Sequence, residues 1–237
     1  MNPSSILITR PDHDPATREG HKWFAKVLEF ALEKEEFSVY DLEGSGASEY
    51  NFTNFIKQYD PLYITGIGHG NAQEYTGWQN KTLLKVGYNE ILCKDRVIYL
   101  LSCSTGKQLG QSLINNGALA YLGYKEDFVL FLGKEGEGFG NASNQISFSL
   151  ITGKNSLEAM EDSIKVWNQN IENADPNTAL GRAIIKWSLW DRDALIHLGI
   201  PSYITETADP PEEPPEVPPL KPCFLCSFCR KLLKCPI

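Results

Sequence analysis

Through the first half of the chain, short apolar runs alternate with stretches whose apolar positions recur at helical spacing. Residues 6–9 (ILIT) form one such run. Phe24, Val27, Leu28 and Ala31 then fall on one helical face within residues 17–35, and residues 37–42 (FSVYDL) alternate as a strand does. The pattern continues with a helix over 47–58, strands over 62–66 and 97–102, a helix over 108–115 and a strand over 118–123. Brief apolar strands separated by helices predict an α/β fold, a mostly parallel sheet with helices on both faces.

Beyond Gly133 the run GKEGEGFGNASN is glycine-rich and polar, which predicts a mobile surface loop. Three helices are expected near 142–152, 156–171 and 176–190. Leu157, Met160, Ile164, Trp167 and Ile171 line one face of the middle helix as a packing stripe, and Pro176 suits a first-turn position. Residues 209–222 (DPPEEPPEVPPLKP) neither pair into a sheet nor continue a helix, so they read as an extended spacer. The expected organisation is a domain over 1–208, a Pro/Glu-rich linker over 209–222 and a Cys-rich tail over 223–237.

Charge narrows the partners. Lys plus Arg number 22 against 30 for Asp plus Glu, a net of −8. Residues 209–237 carry four acids (Asp209, Glu212, Glu213, Glu216) and four bases (Lys221, Arg230, Lys231, Lys234), so the excess sits on the body. With no basic stripe to replace counterions, no nucleic-acid partner is expected. The first residues, MNPSSILITRPDHD, lack the basic flank and apolar stretch of a secretion signal, so a cytoplasmic location is expected. There the sequons at Asn51, Asn80 and Asn141 stay unmodified, and the six cysteines serve as thiols or metal ligands rather than disulfides.

The candidate chemistry lies at two strand ends. The run VIYLLSCSTG ends in Cys103, and one strand earlier LYITGIGHG ends in His69. If the two strands are parallel neighbours, both residues leave the same sheet edge, where α/β proteins place their sites. A thiol with an unperturbed pKa of about 8.5 gains nucleophilicity from an adjacent imidazole or a helix N-terminus. A helix starting near Gly106 would supply the second. Gly70 permits close backbone approach, so the N–H groups of Gly70 and Cys103 are candidates for an oxyanion hole. Glu126 and Asp127, after the following strand, are candidates to face a basic substrate residue. His13, between Asp12 and Asp14, lies in a loop at the same edge, where it could line the site but reads first as a solvated turn, while Cys93 reads as packing. SCSTGKQLG fails as a phosphate loop, because Leu101 and Gln108 stand where Gly and Ser or Thr are required.

The pairing of a strand ending in His-Gly with one ending in Ser-Cys resembles the caspase–gingipain clan of cysteine peptidases, nearest to gingipain-like and CHAT-like domains. ILITRPDHDPATREGHKWF, GHG at 68–70, LLSCSTGKQLGQSLINNGALAYLGY at 100–124 and DRDALIHLGIP at 191–201 extend the similarity over roughly residues 5–205. Gly199-Ile200-Pro201 departs from the Gly-Asp-Pro usual at the end of such domains. The resemblance implies a caspase-like (caspase–hemoglobinase) three-layer sandwich and a cysteine endopeptidase acting on protein or peptide substrates. It assigns Cys103 as nucleophile, His69 as general acid/base and Gly70 and Cys103 as oxyanion donors, with no cofactor for catalysis. It also implies a deep first-subsite pocket, often a charged one. The alternative is a catalytically silent interaction module on the same fold.

The tail adds Cys223, Cys226, Cys229 and Cys235 in C-x2-C-x2-C-x5-C-P spacing. Four such thiols suit zinc or an iron–sulfur cluster. Phe224, Leu225, Phe228, Leu232 and Leu233, alternating with Arg230, Lys231 and Lys234, equally suit membrane or partner docking, and a disordered tail is the third reading.

Overall fold

Asp14 ends the first loop by accepting a hydrogen bond from Thr17 N–H, while the Thr17 hydroxyl bonds back to the Asp14 backbone, a reciprocal cap that starts a helix at Pro15. The structure is a computed structural model and describes residues 4–205. The linker over 209–222 and the tail with Cys223, Cys226, Cys229 and Cys235 lie outside the described residues. In chain order the elements are β1 (Ser4–Arg10), α1 (Pro15–Leu32), β2 (Phe37–Glu43), α2 (Glu49–Tyr59), β3 (Tyr63–Ile67), β4 (Gly70–Asn71), β5 (Glu74–Thr76), β6 (Thr82–Lys85), β7 (Val97–Leu101), α3 (Leu109–Asn115), β8 (Ala120–Tyr124), α4 (Glu137–Ile151), α5 (Ser156–Asn173), α6 (Ala179–Ala194) and β9 (Leu195–Gly199).

Six strands form one sheet in the order β2-β1-β3-β7-β8-β9, parallel except for β9. Alternation along the strands divides the core into two layers. Ile6, Ile8, Tyr63, Val97, Tyr99 and Leu101 face α1, α4 and α5, whose Phe24, Phe139 and Trp167 are buried against them. Leu7, Ile64, Ile98 and Leu100 face the opposite layer, with Phe52 and Ile56 of α2 and Leu109 and Leu113 of α3. The α/β class, the mostly parallel sheet and the helices on both faces are as the sequence pattern predicts.

Pro176 lies in a turn ahead of the Thr178 cap of α6 rather than in its first turn, and a larger expectation is also overturned. The glycine-rich run after Gly133 is not a mobile loop: residues 133–136 make one tight turn and Glu137–Ile151 is helical and largely buried. Its small residues are what admit it to the core. A Cβ on Gly136 would lie 2.0 Å from the Phe131 carbonyl oxygen, and one on Gly140 would lie 2.6 Å from the Trp23 ring. Its polar residues are equally employed, since Ser147 Oγ bonds Tyr63 OH at 2.8 Å and Asn144 Nδ2 donates to the Trp23 carbonyl at 2.7 Å. Composition reads this segment as solvated; its partners are tyrosines and a carbonyl inside the protein.

The small antiparallel sheet β4-β5-β6 corresponds to no predicted element, each strand being too short for a period. Tyr75 fastens it beneath the main sheet, with its hydroxyl 2.6 Å from Thr9 Oγ1 and donating to the Ile67 carbonyl at 2.9 Å. Among the described residues no helix is long and apolar enough to cross a membrane.

The ring of Trp167 is completely buried and packs edge-on against Phe128 and Phe139, at 6.2 and 5.3 Å between centroids. Trp167→Ala should therefore lower unfolding stability by about 3–5 kcal/mol, seen as a fall in the urea midpoint with the slope preserved. An unchanged midpoint would contradict this packing.

Candidate active site

β1, β3 and β7 are adjacent parallel strands, and each delivers one polar side chain where the chain leaves its carboxyl end: Asp14, His69 and Cys103. His69 and Cys103 border the same cavity of about 190 Å³, with Ala16, Thr17, Ile67, Gly68, Leu101, Ser102, Phe128 and Leu130 as its other walls. The backbone of His69 is fixed, because its carbonyl accepts from both Thr76 N–H (2.9 Å) and Thr76 Oγ1 (3.1 Å).

His69 Nε2 lies 2.6 Å from Asp14 Oδ2. Burial works against the charged Asp14 carboxylate, but the Thr17 N–H and the His69 ring outweigh it and hold the carboxyl at about 2. The carboxylate accepts a hydrogen bond from Nε2–H, which leaves the lone pair of the neutral ring on Nδ1. Sequence reasoning did not single out Asp14 as a site residue; the signal was its place as the first helix cap at the same sheet edge. His13 is in the site's surroundings rather than in a solvated turn. Its ring meets those of His69 and Trp78 at 5.9 and 5.5 Å between centroids, and its Nε2 lies 3.4 Å from Asp14 Oδ2 and 3.2 Å from Asn80 Oδ1. His13, Asp14 and His69 bring metal-ligand atoms within 4.8 Å of one another. A cation held there would replace the hydrogen bond from His69 Nε2–H to Asp14.

Cys103 is a free thiol, partly buried, with Sγ 3.9 Å from the Phe128 carbonyl oxygen. Burial pushes the thiol up from its ordinary value, and the carboxyls of Asp127 and Asp191 push the same way. The expected lowering by a helix N-terminus does not occur: α3 starts only at Leu109, and Gly106 N–H is spent on the Tyr124 carbonyl at 2.9 Å. The turn after the sulfur instead puts Ser104 in the left-handed region, at φ 57°. Ser104 is held there by N–H donation to the Glu126 carbonyl and by Oγ donation to Asp127 Oδ1 at 2.7 Å.

Two backbone N–H groups at these strand ends are candidate oxyanion donors. Cys103 N–H has no backbone acceptor among the described residues. Gly70 pairs with Tyr75 between two positions that exchange ladder bonds, so its N–H points away from β5. A side chain on Gly70 would collide with Ser102 Oγ at 2.2 Å, so only glycine brings these two strand ends together.

Glu126 and Asp127 do not line the cavity. Glu126 is bound to Lys107 Nζ at 2.8 Å, and Asp127 takes the Ser104 hydroxyl on its side chain and the Trp190 indole N–H, at 2.8 Å, on its carbonyl. Asp191 on α6 lies buried behind the same segment, with Oδ1 accepting from Val129 N–H at 2.9 Å and Oδ2 without a partner among the described residues. Burial pushes its carboxyl up to about 8, so it is mostly neutral at pH 7. Cys93 is a buried packing residue whose thiol burial pushes up to about 12.

No family model and no curated protein matches the chain. Among solved structures, a complex of Porphyromonas gingivalis RgpB pro- and mature domains aligns at 9% identity and TM-score 0.54, over 85% of this chain and 48% of that one. The chain thus spans about half the length of that neighbour. Caspase-1 from Spodoptera frugiperda aligns at 12% identity and TM-score 0.46, over 76% of this chain and 81% of that one. A secreted cysteine protease from Bacteroides thetaiotaomicron, iotapain, aligns at 8% identity and TM-score 0.42, over 74% and 72%. The likeness to RgpB shows the fold, that of the caspase–gingipain clan.

Asp191 sets a pH dependence of stability. Its folded pKa of about 8 lies above the unfolded value of 3.8, so the neutral form is favoured in the folded chain and stability is lost as pH rises from about 4 towards 8. Asp191→Asn keeps an acceptor for Val129 N–H and removes the ionisation. It should be more stable than the parent at pH 7 by about 1–3 kcal/mol and show a flatter stability profile across that window. Urea unfolding from pH 4 to pH 8 measures this, and a parallel profile for the two proteins would contradict it.

Proposed function

We propose that this chain is a cysteine endopeptidase with Cys103 as nucleophile and His69 as general acid/base, built on the caspase–gingipain fold. The observation that carries the reading is the shared cavity: a free thiol and an imidazole from neighbouring strand ends border one pocket, and the imidazole is already oriented by a carboxylate. With Nε2 bound to Asp14, Nδ1 is the nitrogen available to take a proton.

In the proposed reaction the Cys103 S–H proton passes to His69 Nδ1 as the sulfur attacks the scissile carbonyl. The new oxyanion accepts hydrogen bonds from the N–H groups of Cys103 and Gly70, each worth about 3 kcal/mol when correctly aimed. Imidazolium, stabilised by Asp14, then protonates the leaving amine, giving a thioester on Cys103. Water attacks that thioester with His69 as base and releases the acid product and the thiol. Every proton in this sequence is handled by His69. The raised resting thiol fits a nucleophile that forms only as the proton is transferred, rather than a standing thiolate.

The other reading, a catalytically silent docking module, draws support from the same burial of the thiol. Substitution separates the two. Cys103→Ala should abolish cleavage of fluorogenic peptides, and His69→Ala should lower kcat/KM by about 10²–10⁴-fold. Asp14→Asn should lower kcat by about 10–100-fold with little change in KM, because it disturbs the orientation of His69 rather than substrate contact. Peptide cleavage that survives Cys103→Ala would refute the assignment, and an absence of cleavage in the parent protein would favour the docking module.

A further inference from the structure

The cavity beside Cys103 and His69 has an unusual wall for a fold whose resemblance implied a charged subsite. Its side chains are those of Ala16, Ile67, Leu101, Phe128 and Leu130, with Thr17 and Ser102 as the polar exceptions. Thr17 Oγ1 is already occupied by the Asp14 cap. Ser102 Oγ is buried and without a partner among the described residues, and it faces the place where a Gly70 side chain would be. One neutral hydroxyl does not balance a buried ammonium, guanidinium or carboxylate.

Asp14, Asp127, Glu126 and Arg10 are paired with other groups, and Asp191, whose Oδ2 has no partner among the described residues, does not border the cavity. Asp14 holds His69, Asp127 holds Ser104, and Glu126 is paired with Lys107. Arg10 is paired with Asp41. Asp191 sits behind the Val129 backbone N–H, which it accepts, and does not border the cavity. The volume of about 190 Å³ equals roughly six waters at about 30 Å³ each, space for a side chain of about four to seven heavy atoms.

Resting on the peptidase reading, we infer that the pocket between Cys103 and Leu130 receives an uncharged apolar side chain of leucine, methionine or phenylalanine size from the residue whose carbonyl is attacked. Leu101, Phe128 and Leu130 supply the apolar contact, and the lack of a counter-ion rejects lysine, arginine, aspartate and glutamate. The wall is rigid on its far side, since the Phe128 ring packs on Tyr124 at 4.7 Å and on Trp167 at 6.2 Å between centroids.

The test is a panel of fluorogenic peptide amides, identical except at the residue before the cleaved bond, assayed with the full-length protein and with Leu130→Glu. Labelling of Cys103 by peptidyl acyloxymethyl ketones is measured in parallel. The expected result is a kcat/KM about 100-fold or more higher for Leu, Met or Phe than for Lys, Arg, Asp or Glu, with Leu130→Glu shifting preference by at least about tenfold towards Lys. Preference for a charged residue, or no preference at all, would overturn the pocket assignment while leaving the peptidase in place. Cleavage of no peptide together with an unlabelled Cys103 would overturn the peptidase reading and this inference with it. A folded Leu130→Glu protein that keeps the parent's preference would also overturn the assignment of Leu130 to the pocket wall.

Discussion

Asp14 uses its two carboxylate oxygens for two purposes, and the fold and the candidate site meet there. Oδ1 accepts the Thr17 N–H at 2.9 Å and starts α1, while Oδ2 receives His69 Nε2 at 2.6 Å. The helix cap offsets part of the cost of burying the charge, and the charge in turn fixes the imidazole. For both contacts to exist, β1 must lie beside β3 in parallel, which is the register Ile6–Thr9 opposite Tyr63–Gly66 provides. The position of His69 is thus a consequence of sheet order, not of a local motif.

Opposed electrostatics mark the two halves of the site. On the His69 side, hydrogen bonds from the Thr17 N–H and the His69 ring favour charge, and Asp14 is pulled down. On the Cys103 side, burial among Phe128 and its neighbours favours neutrality, so the thiol and Asp191 are both pushed up. A boundary of this kind suits a nucleophile that ionises only as its proton leaves for the imidazole. It also makes the neighbouring pocket a place for apolar groups, because the walls that keep the thiol neutral disfavour a charged guest.

The strand ends were legible because a buried parallel strand reads as an unbroken apolar run and its end is therefore sharp: VIYLL before Ser102-Cys103 and LYITGI before Gly68-His69. The α/β class followed from the same runs. Other features were hidden for specific physical reasons. The run over 133–144 looked solvated because its Ser143 and Asn144 find partners inside the core, the Tyr124 hydroxyl and the Trp23 carbonyl, which no periodicity reveals. The β4-β5-β6 sheet was too short to show alternation, and so the fixing of His69 by Thr76 was invisible. Glu126 and Asp127 stood at the right edge, but the Ser104 turn and Lys107 claim them. Asp14 was hidden by its ordinary appearance as a helix cap.

The most direct test of the pairing between Cys103 and His69 is the mass of the intact protein after reaction with a peptidyl acyloxymethyl ketone, followed by peptide mapping. The account predicts a single adduct, on Cys103, formed by the parent protein and at least about 100-fold more slowly by His69→Ala. Equal rates in the two proteins, or an adduct on Cys93 or a tail cysteine in place of Cys103, would contradict it.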